Sequence, residues 1–333
     1  MKTYYIALLI ILPVTLIAYS NAGTSGFMFL TISPDARGAG LAGALTSGSA
    51  DGAAAYYNPA AVIGNEKNFA VTFGITRYFA DIYCSYFGMN YNFGKHIGVL
   101  GIQFQHLGIN DMVETSPVGY GFSVDSLGRT GRKFGARDFY MGISYARILT
   151  DELSAGISVK YVQSNIHDYQ ADQLVYDIGF IFDPHFKTIH LGIVFKNLGK
   201  ESSFIEQNFP LPQEFNLGLS FVPIKINEHK LWGSFEMTNP VYMENHLKIG
   251  MEYSYHEFLF CRLGLKPGFY KLQEIDGNGN VNQNSSLFKE ERFSTGLGIK
   301  SHYQGRILID LSYSYTSYRN LDDVHRISLG TNF

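Results

Sequence analysis

From position 68 onward the chain alternates strictly between apolar residues and small or polar ones. In 69–78 the apolar set is Phe69, Val71, Phe73 and Ile75, set against Ala70, Thr72, Gly74 and Thr76. In 293–300 it is Phe293, Leu297 and Ile299 with Thr295, set against Ser294, Gly296, Gly298 and Lys300. In 307–316 it is Ile307, Ile309, Leu311, Tyr313 and Tyr315, against Leu308, Asp310, Ser312, Ser314 and Thr316. A period of two sends successive side chains to opposite faces of a strand. The same pattern predicts strands near 82–93, 97–107, 137–147, 152–163, 173–182, 187–197, 213–222, 229–238, 245–255, 258–266 and 324–333, about fourteen in all.

Length and spacing decide what kind of sheet this is. Strands of soluble proteins average about five to six residues, whereas a strand crossing a bilayer needs about nine to eleven, and these segments are of the second kind. The even-numbered connections are tight, at 92–96, 149–151, 183–187, 223–228, 256–257 and 302–305. The odd-numbered ones include the long stretches 108–136, 198–212 and 267–290, with 79–81 the short exception. A soluble sandwich has no reason to segregate its connections in this way. The expected fold is all-β, a transmembrane antiparallel β-barrel of about 14 strands spanning 67–333 in an outer membrane, with short turns at the periplasmic end.

Composition agrees. Hydrophobic residues make up 46% of the 333, yet mean hydropathy is only -0.03, so apolar and polar positions must be interleaved. A net charge of -3 gives no nucleic-acid signal. Residues 1–22 read as a cleaved signal peptide: Lys2, an apolar run from Ile6 to Ala18 broken by Pro13, and the small-x-small site Ser20-Asn21-Ala22. Cys84 and Cys261 fall on opposite parities, which argues against a disulfide between them.

The parity that does not face lipid faces the lumen. Glycines 74, 88, 101, 142, 156, 179, 192, 218, 250, 264, 296, 298 and 330 share it, nearly one per strand. Either the sheet bends tightly there or something approaches the wall closely. The same face carries Lys160, Lys196, Lys248, Arg262, Lys266 and Lys300 with Asp177, Glu236, Glu252 and Asp310. These can pair across neighbouring strands or set the field of a pore.

Between 23 and 66 the alternation vanishes, and the chain turns to Ala and Gly with Pro34 and Pro59 as breakers. Phe27, Phe29, Tyr56 and Tyr57 argue against a free tail. The run from Phe27 through Leu30, Ile32, Ala36 and Arg37 to Gly43, followed by Asp51-Gly52-Ala53-Ala54-Ala55-Tyr56-Tyr57-Asn58-Pro59-Ala60, resembles the opening of the PorV/PorQ family, within the wider superfamily of FadL-like outer-membrane transporters. The resemblance implies that 23–66 is a hatch plugging the lumen, with Asp51, Asn58, Pro59 and Ala60 as its motif. It also implies two roles. One is protein secretion of the type IX kind, with secreted cargo or other secretion subunits as partners. The other is passage of hydrophobic small molecules, for which a lumen lined only by paired charges would be the wrong environment. Ile327, Leu329 and Phe333 on one face of the last strand resemble the C-terminal signal read by the outer-membrane insertion machinery. Membrane lipids complete the expected partners.

Other motifs fail. Gly38, Gly40 and Gly43 match a dinucleotide loop without its strand, helix and acidic residue. Asp276 to Asn280 opens like a calcium loop, but Val281 and Leu287 stand where it needs Gly and Glu. The ten histidines have no paired metal spacing, and no Ser, His and acid constellation emerges. No enzyme, cofactor or metal is expected.

Overall fold

The computed structural model describes residues 23–65, 67–116, 125, 128–185, 188–267, 270–275, 281–286, 291–303, 307–318 and 321–333. The expected signal peptide and the loop at 276–280 lie outside them.

Fourteen antiparallel strands close on themselves. They are β1 (Phe69–Arg77), β2 (Tyr83–Asn92), β3 (Val99–Thr115), β4 (Arg129–Ile148), β5 (Leu153–Ile166), β6 (Tyr169–Phe182), β7 (His190–Leu198), β8 (Glu214–Ile226), β9 (His229–Pro240), β10 (His246–Tyr255), β11 (Leu259–Leu265), β12 (Glu291–Tyr303), β13 (Ile307–Tyr318) and β14 (Val324–Asn332). Every strand pairs with its neighbours in sequence, and β14 returns to β1 with Gly74 opposite Ser328. Phe69 and Phe333 seal that seam by exchanging backbone hydrogen bonds at 2.9 and 3.0 Å. Closure leaves no edge with unpaired N–H and C=O groups, the condition for a sheet to survive in hydrocarbon.

Alternation decides what each face carries. Ile75, Met141, Ile143 and Leu297 point outward and are more than half exposed, while Thr76, Ser144, Ser158 and Ser314 on the other parity are buried. Ile327, Leu329 and Phe333 are likewise outward and exposed. Cys84 is buried and Cys261 exposed, both as free thiols. A closed barrel of fourteen strands with an apolar outer wall and a polar inner one is an outer-membrane protein.

Two expectations need correction. The stretch 108–136 is not mainly a loop: β3 runs on to Thr115 and β4 begins at Arg129. Beyond Gly108 on β3 and Ala136 on β4 the barrel neighbours stop, so the two strands continue alone as a ribbon with bulges between Ile109 and Met112 and between Val113 and Thr115. Strands β5 and β6 also meet in a two-residue turn at His167 and Asp168, where the alternation leaves 164–172 as a connection. Bulges and charged residues hide the period-two signal in these tips.

The chain from 23 to 65 lies inside the barrel, as short turns: Met28–Thr31, Ala36–Gly40, Ala54–Tyr57 and Pro59–Gly64. Asp35 caps the helix Ala36–Gly40 by accepting from the Gly38 N–H, and Asn58 caps Pro59–Gly64 by accepting from Ala60.

Candidate functional site: the lumen

The inward glycines are where the 23–65 segment touches the wall. A Cβ on Gly156 would sit 2.5 Å from the backbone of Pro59 and Ala60, and one on Gly192 within 2.6 Å of the Thr46 carbonyl carbon. Gly74 meets Pro34, Gly88 meets Gly52, Gly179 meets Asn58 and Gly264 meets Ala42. Gly101, Gly142, Gly298 and Gly330 instead face side chains or backbone of the wall itself. Close approach of the segment accounts for most of the inward glycines.

Polar contacts then fix the segment. The Asn58 amide donates to the Thr46 carbonyl at 2.8 Å and to Phe180 of β6 at 3.2 Å, which ties two parts of the segment to the wall. The Asn90 amide of β2 donates to the Asp51 carbonyl at 2.8 Å. Pro59 and Ala60 are buried directly over Gly156. Arg37 is the centre of the network: it grips Glu252 of β10 through Nε at 3.1 Å and Nη2 at 3.3 Å, and reaches Asp51 at 3.3 Å through Nη1. Arg262 of β11 donates to the same Glu252 at 2.7 Å. Asp35 receives the Tyr57 hydroxyl at 2.6 Å, and burial, reinforced by Asp51, pushes its carboxyl up to about 6.

All the inward charges expected from the alternation have partners on adjacent strands. Lys160 meets Asp177 at 2.5 Å, Lys248 meets Glu236 at 2.9 Å, Lys300 meets Asp310 at 3.3 Å, and Lys266 pairs with Glu291. Lys196 lies 4.0 Å from Glu214 and 4.1 Å from the Tyr56 ring centre. Glu252 is shared by two arginines, so Glu252→Gln leaves both underpaired in a buried site. We expect it to lower stability by about 3 kcal/mol, read from the urea midpoint of the refolded protein in micelles.

The interior is not lined by paired charges alone. Tyr86, Tyr140, Val162, Ala171 and Val175 are inward, buried wall residues that join Phe27, Phe29, Leu30, Tyr56 and Leu211 in one apolar cluster. Between the segment and the β7–β11 wall remains a cavity of about 30 Å³, lined by Tyr56, Lys196, Glu214, Asn216, Glu236 and Lys248 among others.

Beside that cluster the wall is irregular. Lys196 and Asn197 of β7 both stand opposite Asp177 of β6, a bulge at which Asn197 takes φ +58° and gives its N–H to the Asp177 carboxylate at 2.8 Å. Pairing between β6 and β7 ends at Tyr176 and Leu198. Beyond it, the remaining residues of β6 are bordered by the connection to β8. There the Gln173 amide donates to Lys200 and Glu201, and the Ser202 hydroxyl to Asp172. This connection touches the 23–65 segment: Gly26 donates to the Pro210 carbonyl at 3.1 Å, and the rings of Phe27 and Phe209 meet edge-on at 5.4 Å.

No family model matches the chain, and no curated protein matches it at a significant level. Among solved structures it is similar to the monoaromatic hydrocarbon channel CymD, over 93% of this chain and 99% of that one, with TM-score 0.58 and 11% identity. It is similar to the P. putida toluene transporter TodX over 90% and 98%, with TM-score 0.55 and 10% identity. A Pseudomonas aeruginosa FadL homologue aligns over 91% and 98%, with TM-score 0.52 and 11% identity. At such identities the likeness is one of architecture, and it spans nine-tenths or more of this chain and almost the whole of each relative: the chain has the FadL-like barrel fold.

Proposed function

We propose that this protein is a FadL-like outer-membrane passage for small hydrophobic molecules, closed by 23–65 acting as a hatch. The observation that carries this reading is the apolar cluster around Tyr140, Val162, Val175 and Leu211, seated where the pairing of β6 and β7 ends. A hydrophobic molecule needs an apolar surface inside the barrel and a break in the wall hydrogen bonding through which it can leave sideways. Asp51, Asn58, Pro59 and Ala60 serve as hatch anchors, since each is a docking point on the wall or on Arg37. Ile327, Leu329 and Phe333 form the assembly signal, which their outward exposure next to the β1 seam supports. A secretion role rests on the resemblance of the 27–60 motif, whereas the names of the solved relatives favour hydrocarbon passage.

The test is uptake. In a Gram-negative host lacking its own FadL-like channels, expression of the chain raises the initial uptake of a radiolabelled monoaromatic hydrocarbon several-fold. Leu211→Arg, which puts a charge into the apolar cluster, abolishes the gain. Unchanged uptake with the folded barrel present in the outer membrane sinks the reading.

A further inference from the structure

A second cavity among the described residues lies outside the lumen. It measures about 490 Å³ and is lined by Asn110, Lys133, Phe134, Arg137, Asn165 and His167 with Asp111 and Gly135. It sits where the β3–β4 ribbon leaves the barrel beside the β5–β6 turn.

Strand parity gives its direction. Arg137 pairs with Asn165, and Met141 with Tyr161, on one face of β4 and β5, and Met141 is 59% exposed on the outer wall. Arg137 and Asn165 therefore face outward, four residues or about 13 Å along the strand from the apolar belt. Below the groove, Met141, Ile143, Ile157 and Val159 form a continuous exposed apolar strip on the same two strands. The groove thus lies at headgroup height, directly above the surface that acyl chains cover.

Its chemistry is specific. Lys133 is met by Asp111 at 3.2 Å, and His167 by Asp168 at 2.8 Å. Arg137 is exposed and has no hydrogen-bond or ion-pair partner among the described residues. An exposed guanidinium with no carboxylate partner recognises phosphate. Asn110 and Asn165 supply planar amides, and the Phe134 ring, 5.5 Å from that of His167, supplies an apolar face. Amides and an aromatic face next to a phosphate-binding cation suit a phosphorylated sugar. The ribbon stands at the long-loop end, which in outer-membrane barrels faces the cell exterior.

We propose that this groove binds the headgroup of a phosphorylated glycolipid of the outer leaflet, with Arg137 on the phosphate, Asn110 and Asn165 on the sugar, and the acyl chains against the Met141–Ile143 face. The site depends on the barrel and its orientation, and is independent of what passes through the lumen.

Native mass spectrometry of the full chain, titrated with bisphosphorylated lipid A, tests it. Arg137→Gln is expected to weaken binding about tenfold, while Arg147→Gln, the same charge change at the other end of β4, leaves it unchanged. Dephosphorylated lipid A is expected to bind as weakly to the native chain as lipid A binds to Arg137→Gln. Equal binding of the dephosphorylated lipid, an unaffected Arg137→Gln variant, or equal affinity for phosphatidylglycerol would each overturn the assignment. A barrel that keeps its heat-modifiable mobility on gels shows that the variants are folded.

Discussion

Gly156→Val is expected to displace the 23–65 segment while leaving the barrel intact. The new Cβ would lie 2.5 Å from the backbone of Pro59 and Ala60, and backbone, unlike the end of a flexible side chain, has nowhere to rotate. Overpacking of this kind costs about 1–3 kcal/mol even when the surroundings relax. Here the two bodies differ in how firmly they are held. The wall is secured by continuous backbone hydrogen bonds along β4, β5 and β6, the segment by separate polar contacts and apolar packing. The segment yields. The variant should still migrate as a heat-modifiable barrel, but with a several-fold rise in single-channel conductance across a planar bilayer. Residues around Arg37 should also become open to trypsin. Unchanged conductance with a protected Arg37 would show that the segment is not what closes the lumen.

That experiment probes a feature that was half legible in the sequence. Periodicity says which face a glycine occupies and nothing about what approaches that face, so curvature and an inserted segment could not be told apart from Gly156 or Gly192 alone. The same limit applied to charge. Alternation places Lys160, Asp177, Glu236, Lys248 and Arg262 inward, but it does not single out Glu214. It opens β8 two residues after Pro212, although it shares parity with Asn216 and Gly218. Arg326 is buried inward and donates to Thr316 at 2.9 Å. Its parity with Ser328 and Gly330 is the signal in the sequence that places it there. Of the two carboxylates that hold Arg37, Asp51 lies in the same motif, whereas Glu252 is 215 residues away in sequence, beyond the reach of any motif.

Bulges were the other blind spot. At Lys196 and Asn197 two successive side chains are both buried, which no alternating pattern can represent. In the β3–β4 ribbon, Asp111 at φ +62° and Gly131 at φ +79° break the alternation, so the segment read as loop. Both irregularities lie beside features with proposed roles, the apolar cluster and the outer groove. Regular alternation specifies a wall, and a site on that wall requires the pattern to be interrupted.

The β6–β7 bulge carries the second large effect. Asp177 is fully buried, meets Lys160 at 2.5 Å, and accepts the Asn197 N–H at 2.8 Å. Asp177→Ala removes one carboxylate from three obligations: the Lys160 charge, the Asn197 N–H, and the register of β6 against β7. An unpaired buried ammonium alone costs about 3–5 kcal/mol, and the orphaned N–H adds about 1–3 kcal/mol. Urea unfolding in micelles should therefore show a loss of about 4 kcal/mol or more. Lys160→Met on that background should recover much of the first part, since a neutral side chain of similar length removes the stranded charge. It cannot recover the second, because Asn197 still lacks its acceptor. If Asp177→Ala and the double variant are equally unstable, the ion pair contributes nothing and the carboxylate acts only as the cap of the bulge. If the double variant regains native stability, the bulge needs no cap. Partial recovery is the expected result, and it would assign Asp177 both tasks: balancing the charge beneath the wall break and holding β7 in the bulged path that makes the break.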